Sequence, residues 1–401
     1  MLTYSTFAFL YELGHALLVL LAKNHFLKDL VIIFLAAKAM GHLSVLFGQP
    51  SIFGQLLVGI ILGPAVLNIL HPNLLLNQLA QLGVLMLMFL AGLETNLREF
   101  TKNTISSFFT ASGGVILPFI SGALLALMCG YTLNIALFIG VVLVSTSVSI
   151  SVQTLRELNR MQSKEGITIL GAAVIDDILG LIILSMVLAL ATGGEEFTII
   201  SIIIIKIIAF FILAIFAGYF LVPFIMFLAS KVLVREGRLT FALIIVLTLS
   251  MAAEYLGLAG IVGAYFAGIM VGRMGFRGEL ISKVEAIGYS FFFPVFFVSI
   301  GLVADITSLK GSLLIFTIIM TLIAVFTKIF GAGLGALCCG FSTRSSLAIG
   351  AGMVSRGEVA LIIANIGLAS GLLTTDLYTV MVVVTIITTI ITPVLIKLTF
   401  K

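Results

Sequence analysis

The stretch AAVIDDILGLIIL (172–184) places two adjacent aspartates inside an otherwise almost entirely aliphatic segment. An ionised aspartate at the centre of a bilayer costs roughly 2.5–3.5 kcal/mol on insertion scales. If this segment crosses a membrane, the two carboxylates need a reason to be there. The rest of the chain must therefore show first whether the protein is a membrane protein.

The composition of the whole chain is that of a membrane protein. Hydrophobic residues make up 61% of the 401 residues and charged residues only 9%, with a mean hydropathy of +1.31; soluble chains have about 25% charged residues. Apolar runs of about 18 residues or more, long enough to cross the hydrocarbon core, recur from residue 29 onward. IISIIIIKIIAFFILAIFAG (199–218) lacks the alternation of a transmembrane β-strand. The composition excludes a soluble fold and predicts an all-α polytopic membrane protein.

The N-terminus and the cysteines add two expectations. Residues 1–28 are expected to form an extracellular or interfacial segment, because polar residues interrupt the first apolar run and no clear small-residue cleavage site follows. The three cysteines, Cys129, Cys338 and Cys339, match neither a disulfide framework nor a metal-ligand pattern. We predict no cofactor and no nucleic-acid partner.

The two halves of the chain match each other at a nearly constant offset. GQLLVGIILG (54–63) matches GAYFAGIMVG (263–272) at a shift of 209 residues, and IGVVLVSTS (139–147) matches IGAGMVSRG (349–357) at a shift of 210. Because an odd number of predicted spans separates the two copies, the second is inverted in the membrane, as in many secondary transporters. We expect about 13 transmembrane helices, divided into a first six-helix repeat (29–192), a linking helix (193–237) and a second, inverted repeat (238–401).

The loop charges predict the orientation. Most lysines and arginines fall in one set of predicted loops, while the opposite set carries only Lys23, Lys28 and Lys310. Because cytoplasmic loops are enriched in these residues, the N-terminus is predicted outside and the C-terminus in the cytoplasm. The expected location is the cell (plasma) membrane, with multiple passes through the bilayer.

Five ionisable residues remain near the middle of predicted spans: Asp176, Asp177, Lys328, Arg356 and Glu358. Unpaired, they would together cost roughly 12–18 kcal/mol, as much as the whole stability of a typical domain. They must therefore pair, bind ions or titrate. Three carboxylates against two cations leave one negative charge, which one bound cation or proton would balance. A purely structural ion-pair cluster is the less favoured alternative.

Two polar stretches interrupt predicted spans at matching depth in the two repeats. STSVSIS (145–151) and SRGEV (355–359) are rich in hydroxyl groups, glycine and charge. Such stretches are expected where a helix unwinds and exposes backbone carbonyls to a cation. Serine and threonine can also bond back to helix carbonyls without unwinding the helix. The symmetric placement favours unwinding.

Together these residues resemble the monovalent cation:proton antiporters, branch two, of the bacterial Na⁺/H⁺ antiporter type. The resemblance covers nearly the whole chain and rests on VIDDILGLI (174–182), VSTSVSISVQTLREL (144–158), FLAGLETNL (89–97), FFPVFFVSIGL (292–302), TKIFGAGLGA (327–336) and VSRGEVALI (354–362). It implies a dimer domain from spans one to three and eight to ten, and a mobile core domain from the other spans of the repeats. The fifth and twelfth spans would be discontinuous and cross near the aspartates.

The resemblance also implies a role for each site residue and a function. It implies a homodimer in the lipid bilayer that exchanges Na⁺, with K⁺ or Li⁺ as alternatives, for H⁺ by alternating access. Asp177 would be the main Na⁺-binding carboxylate and Asp176 its partner, paired with Lys328 in the ion-free state. The unwound segments would contribute the remaining residues of the site and its charged network: Thr146, Ser147, Glu358 and Arg356.

Three other functions compete with antiport. A cation channel would need a continuous pore, and no stretch resembles a selectivity filter of the repeated-loop kind. An intramembrane aspartyl protease would need two carboxylates sharing one proton, whereas adjacent residues on one helix point apart. A transporter fold used as a sensor is the third alternative.

Overall fold

The fold of the chain is entirely helical over the residues that the structure describes. The computed structural model describes residues 25–192, 196–303 and 311–400, so most of the predicted N-terminal segment lies outside the described residues. In chain order the helices are α1 (His25–Leu46), α2 (Ser51–Leu62), α3 (Leu74–Glu94), α4 (Leu97–Lys102), α5 (Thr104–Met128), α6 (Leu133–Val144), α7 (Val148–Glu157), α8 (Lys164–Thr192), α9 (Glu196–Phe216), α10 (Val222–Lys231), α11 (Gly237–Tyr255), α12 (Gly260–Val271), α13 (Arg277–Ile287), α14 (Phe293–Leu302), α15 (Ser312–Cys338), α16 (Thr343–Gly352), α17 (Glu358–Ala369) and α18 (Thr375–Thr399). Single π-helical segments, Ala217–Leu221 and Gly288–Phe292, continue α9 into α10 and α13 into α14.

Within the described ranges, ten helical segments are long and apolar enough to cross a membrane, and three shorter apolar helices accompany them. The all-α polytopic class is confirmed. The number of thirteen crossings stays a prediction, as do the domain boundaries. The three cysteines are free thiols.

Two spans are broken in the middle, and their breaks meet. Helix α6 ends at Val144 and α7 begins at Val148, while α16 ends at Gly352 and α17 begins after the non-helical residues 353–357. The backbone N–H of Ser147 donates to the carbonyl of Ser355 (2.7 Å), and the Ser355 hydroxyl donates back to the carbonyl of Ser147 (2.8 Å). The discontinuous helices therefore cross at their unwound segments, as expected.

Helices α5 and α15 form the most extensive helix–helix contact among the described elements. Their backbones touch at two glycines: a Cβ on Gly113 would lie 2.1 Å from the carbonyl oxygen of Gly331, and a Cβ on Gly331 would lie 2.2 Å from that of Gly113. Small residues allow this close approach in a membrane, where packing replaces the hydrophobic driving force. The contact holds Lys328, one turn before Gly331, in the interior of the helix bundle.

One helix contact occurs twice, related by the sequence shift of 209 residues. Gly59 on α2 touches Gly301 on α14, and the matching Gly268 on α12 touches the matching Gly92 on α3. In both cases a Cβ on the first glycine would lie 2.1–2.2 Å from a carbonyl oxygen of the facing helix. The internal similarity of the sequence therefore extends to three-dimensional contacts between the two halves.

Candidate ion site

The two adjacent aspartates lie midway along α8 and face different surroundings. Asp176 is fully buried, whereas Asp177 is partly exposed. The difference follows from helix geometry, because consecutive residues point about 100° apart. Both carboxylate oxygens of Asp177 are nonetheless buried, so the exposed part of this residue is not its carboxylate.

Lys328 forms a buried ion pair with Asp176. Its Nζ donates to Asp176 Oδ1 (2.9 Å) and to the backbone carbonyl of Val144 (2.5 Å), and both charged side chains are 0% exposed. The second carboxylate oxygen, Oδ2, has no hydrogen-bond partner among the described residues. A buried ion pair is stabilised only when its remaining polar atoms are also satisfied. Asp176 Oδ2 is therefore available to a bound ligand.

Arg356 completes the capping of α6, the first half of the broken span. Its fully buried guanidinium donates to the carbonyl of Leu143 through Nη2 (2.8 Å) and Nε (3.3 Å), and to that of Ala324 (3.2 Å). The last carbonyls of a helix lack partners within the helix and carry a partial negative charge. Lys328 and Arg356 thus place two cations where the interrupted helix presents its carbonyl oxygens.

The other broken span uses hydroxyl groups for the same purpose. Thr146 Oγ1 donates to the carbonyl of Met353 (3.4 Å), and Ser151 Oγ donates to that of Gly352 (2.5 Å). Thr146 also lies beside the Asp176 carboxylate. The Thr146–Met353 bond corresponds, at the shift of 210 residues, to the Arg356–Leu143 bond. The two breaks are thus built alike but carry different charges.

The two remaining predicted site residues are Ser147 and Glu358, and the structure describes the side chain of only the first. Ser147 Oγ is buried without a hydrogen-bond partner among the described residues, and a Cβ on Gly357 would lie 2.7 Å from it. Glu358 begins α17, but its side chain lies outside what the structure describes. The structure therefore brings Asp176, Lys328 and the residues of the two breaks together, while the part of Glu358 stays a prediction.

Sequence reasoning assigned no individual role to three hydroxyl groups that support the breaks. Ser355 Oγ lies 3.0 Å from Ser151 Oγ, and the Thr389 hydroxyl on α18 donates to the carbonyl of Arg356. Ser151 and Ser355 lie inside the polar stretches that the sequence singled out. Thr389 lies in TIITTIIT (385–392). The threonines of this stretch recur at helical spacing, a pattern that could have indicated a polar face on this helix.

The oxygen atoms at this site suit a small hard cation. Carboxylate, hydroxyl and backbone carbonyl oxygens are the ligands that such cations prefer, and unwound segments commonly supply them in transporters. No group of three or more His, Cys, Asp or Glu side chains placed to hold a metal occurs within the described part of the chain.

The sequence matches the family model described as "Sodium/hydrogen exchanger, transmembrane" over residues 30–401. The chain belongs to this family. Among the relatives of this exchanger, the "Probable Na(+)/H(+) antiporter GerT" of Bacillus cereus is 48% identical over 88% of this chain and 94% of the relative. The "Na(+)/H(+)-K(+) antiporter GerN" of the same organism is 47% identical over 94% and 96%, respectively. The "Na(+)/H(+) antiporter" of Enterococcus hirae is 41% identical over 88% and 92%.

A solved structure gives the same fold. The sodium proton antiporter MjNhaP1 from Methanocaldococcus jannaschii at pH 8 superposes on the exchanger with a TM-score of 0.63, at 15% identity, over 94% of this chain and 98% of that chain. At this identity the likeness supports the fold alone. Because the family is one of transporters, it argues against the intramembrane-protease alternative.

Proposed function

We propose that the protein is a homodimeric antiporter of the plasma membrane that exchanges Na⁺, with K⁺ or Li⁺ as alternatives, for H⁺ by alternating access. The names of relatives that align over most of the chain support cation–proton exchange. The observation that carries the site assignment is the buried Asp176–Lys328 pair, next to partly exposed Asp177, where two broken helices cross.

In this proposal the aspartates bind either a cation or protons. Asp177 supplies the main carboxylate for the cation, and Asp176 Oδ2 and Ser147 Oγ offer further buried oxygens. A proton and a cation cannot both neutralise the same carboxylate, so each displaces the other. Exchange follows if the site opens to the two sides of the membrane in turn and moves only when its charge is compensated.

Replacing Asp177 tests the ion site. We expect Asp177→Asn to abolish cation-driven proton flux in proteoliposomes, since an amide neither releases a proton nor holds a cation with full charge. Sodium, potassium and lithium are compared at one fixed pH gradient, with Asp177→Glu as the matched variant that retains a carboxylate. Near-normal exchange by Asp177→Asn would refute the assignment, and cation flux without coupled proton movement in the wild type would favour a channel.

The same assignment predicts a pH dependence. Because protons compete with the cation, the apparent KM for the cation should rise as the pH falls, by up to about tenfold per pH unit when one proton displaces one cation. The measurement is the initial rate against cation concentration at several pH values. A KM that is independent of pH over the active range would contradict competition at a shared carboxylate.

A further inference from the structure

A second group of charged residues lies at the C-terminal end of α7, away from the ion site. Arg156 is 8% exposed and contacts two carboxylates: Nη2 donates to Glu94 Oε1 (2.8 Å) and to Glu285 Oε1 (2.5 Å), and Nε donates to Glu94 Oε2 (3.0 Å). The Arg–Glu94 contact is bidentate, which is the strongest geometry for such a pair.

Further hydrogen bonds lie next to this group of Arg156, Glu94 and Glu285. Glu157, next along α7, accepts hydrogen bonds from the backbone N–H and the hydroxyl of Ser51, both at 2.6 Å. The Tyr289 hydroxyl donates to Gln153 Oε1 (3.2 Å). We call this set the latch: Arg156, Glu94, Glu285, Glu157, Ser51, Tyr289 and Gln153.

Every contact of the latch named above joins α7 to a helix of the other group. Helix α7 belongs to the predicted core domain, whereas Ser51 on α2, Glu94 on α3, and Glu285 and Tyr289 in the α13–α14 segment belong to the predicted dimer domain. The opposite end of α7 begins at Val148, directly after Ser147 and close to Thr146, which lies beside Asp176. At 1.5 Å per residue, this ten-residue helix spans roughly 15 Å between latch and ion site.

We propose that the latch stabilises the conformation seen here against the other conformation of the transport cycle, with Arg156 as the residue that sets this balance. The inference rests on the proposed function, because it requires the two helix groups to move relative to each other. Contacts of 2.5–3.2 Å between two groups that slide past each other are made in one arrangement and lost in the other. Interactions that differ between two states shift their populations. Since α7 also borders the ion site, the latch couples this shift to the accessibility of the site.

A second charged network in the same protein shows what an ion cluster without this role is like. Arg238 and Glu236 contact Glu279 and Lys283, with Arg238 Nη1 2.9 Å from Glu279 Oε2. These residues lie on or next to α11 and α13, which both belong to the predicted dimer domain. This network stays within one helix group, so it should persist through the cycle.

The test compares Arg156→Gln with Arg238→Gln, which removes an ion pair inside one helix group. The apparent KM for sodium is measured from each face, in right-side-out and inside-out membrane vesicles. Losing the latch should raise the KM at one face and lower it at the other, so that their ratio changes roughly three- to thirtyfold. Arg238→Gln should leave that ratio as in the wild type. A purely structural role for Arg156 would lower the maximal rate or the yield and leave the ratio unchanged.

Glu285→Gln keeps the test decisive if Arg156→Gln does not fold. It removes one carboxylate, itself 39% exposed, and leaves the bidentate contact with Glu94 in place. The KM ratio should move in the same direction by a smaller factor. An unchanged ratio in every folded latch variant, with normal wild-type exchange, would overturn the latch and leave the proposed function standing. Absence of exchange in the wild type would overturn both.

Discussion

The buried lysine is the most informative single residue of the ion site. Its equivalent in the first half of the chain is Pro118, so the internal symmetry does not require a lysine at position 328. Both members of the Lys328–Asp176 pair are completely buried. Removing one partner of such a pair leaves an uncompensated buried charge, which typically costs about 3–5 kcal/mol. Since apolar residues could often replace such a pair without loss of stability, a role of Lys328 in transport is the more specific reason for its presence.

We predict that Lys328 carries a proton and makes exchange electrogenic. If the arriving cation draws Asp176 away, Lys328 loses its counter-ion and releases a proton, so two protons move against one cation. One net charge then crosses per cycle, worth about 2.3 kcal/mol per 100 mV. Sodium-driven proton flux is measured in liposomes at several clamped potentials, for the wild type and Lys328→Gln.

The wild-type rate should depend on the potential, and the glutamine variant should lose that dependence if it still exchanges. Voltage-insensitive exchange by the wild type would refute electrogenicity. Unchanged voltage dependence in Lys328→Gln would show that the lysine does not carry the second proton and that its ion pair is structural.

At the level of helices, the structure depends on two breaks within helices and on close contacts between helix backbones. The sequence predicts the breaks but not the contacts. The breaks at 145–147 and 353–357 were predictable, because hydroxyl, glycine and charged residues stand out in apolar spans. Which side chain caps which carbonyl was not predictable, since Arg356 and Leu143 meet only through the crossing of two distant spans. Glycine is also common throughout this chain, with 39 residues, so composition does not show which glycines touch another backbone.

We predict that Gly331→Ala disrupts the packing of α5 against α15. The added methyl group would lie 2.2 Å from the carbonyl oxygen of Gly113, so the two helices must separate. Such overpacking typically costs about 1–3 kcal/mol, and it should lower the melting temperature of the detergent-solubilised protein and slow exchange. Gly275→Ala is the matched control, because a Cβ there meets no atom within 4 Å. Equal melting temperatures for the two variants would show that α15 shifts without loss of stability.

For the molecule as a whole, the fold class and the convergence of the buried charges follow from sequence, because charges are expensive in hydrocarbon. The few that remain in the spans must converge, and the structure places Asp176, Lys328 and Arg356 within one network. The latch could not be predicted in this way. Its arginine and glutamates lie near predicted span ends, where charged residues are ordinary, and only the three-dimensional arrangement shows Arg156 between two carboxylates.

Alternating access predicts that the ion site is reachable from one side of the membrane at a time. A cysteine replaces partly buried Ile178, next to Asp177, in a background without the three native cysteines. Membrane-impermeant thiol reagents are then applied to either face while sodium and pH gradients are varied. Labelling should switch from one face to the other, because the two halves are inverted repeats around one site. Labelling from both faces in one condition would favour a channel.

The paired glycine contacts also set an order of events during biosynthesis. Helices α2 and α3 emerge from the ribosome and enter the bilayer long before α14 and α12, on which Gly59 and Gly92 pack. In a membrane, helices insert first and associate afterwards. The glycine faces of the early helices must therefore remain against lipid until the second half has been translated, and the nascent first half cannot complete its packing alone.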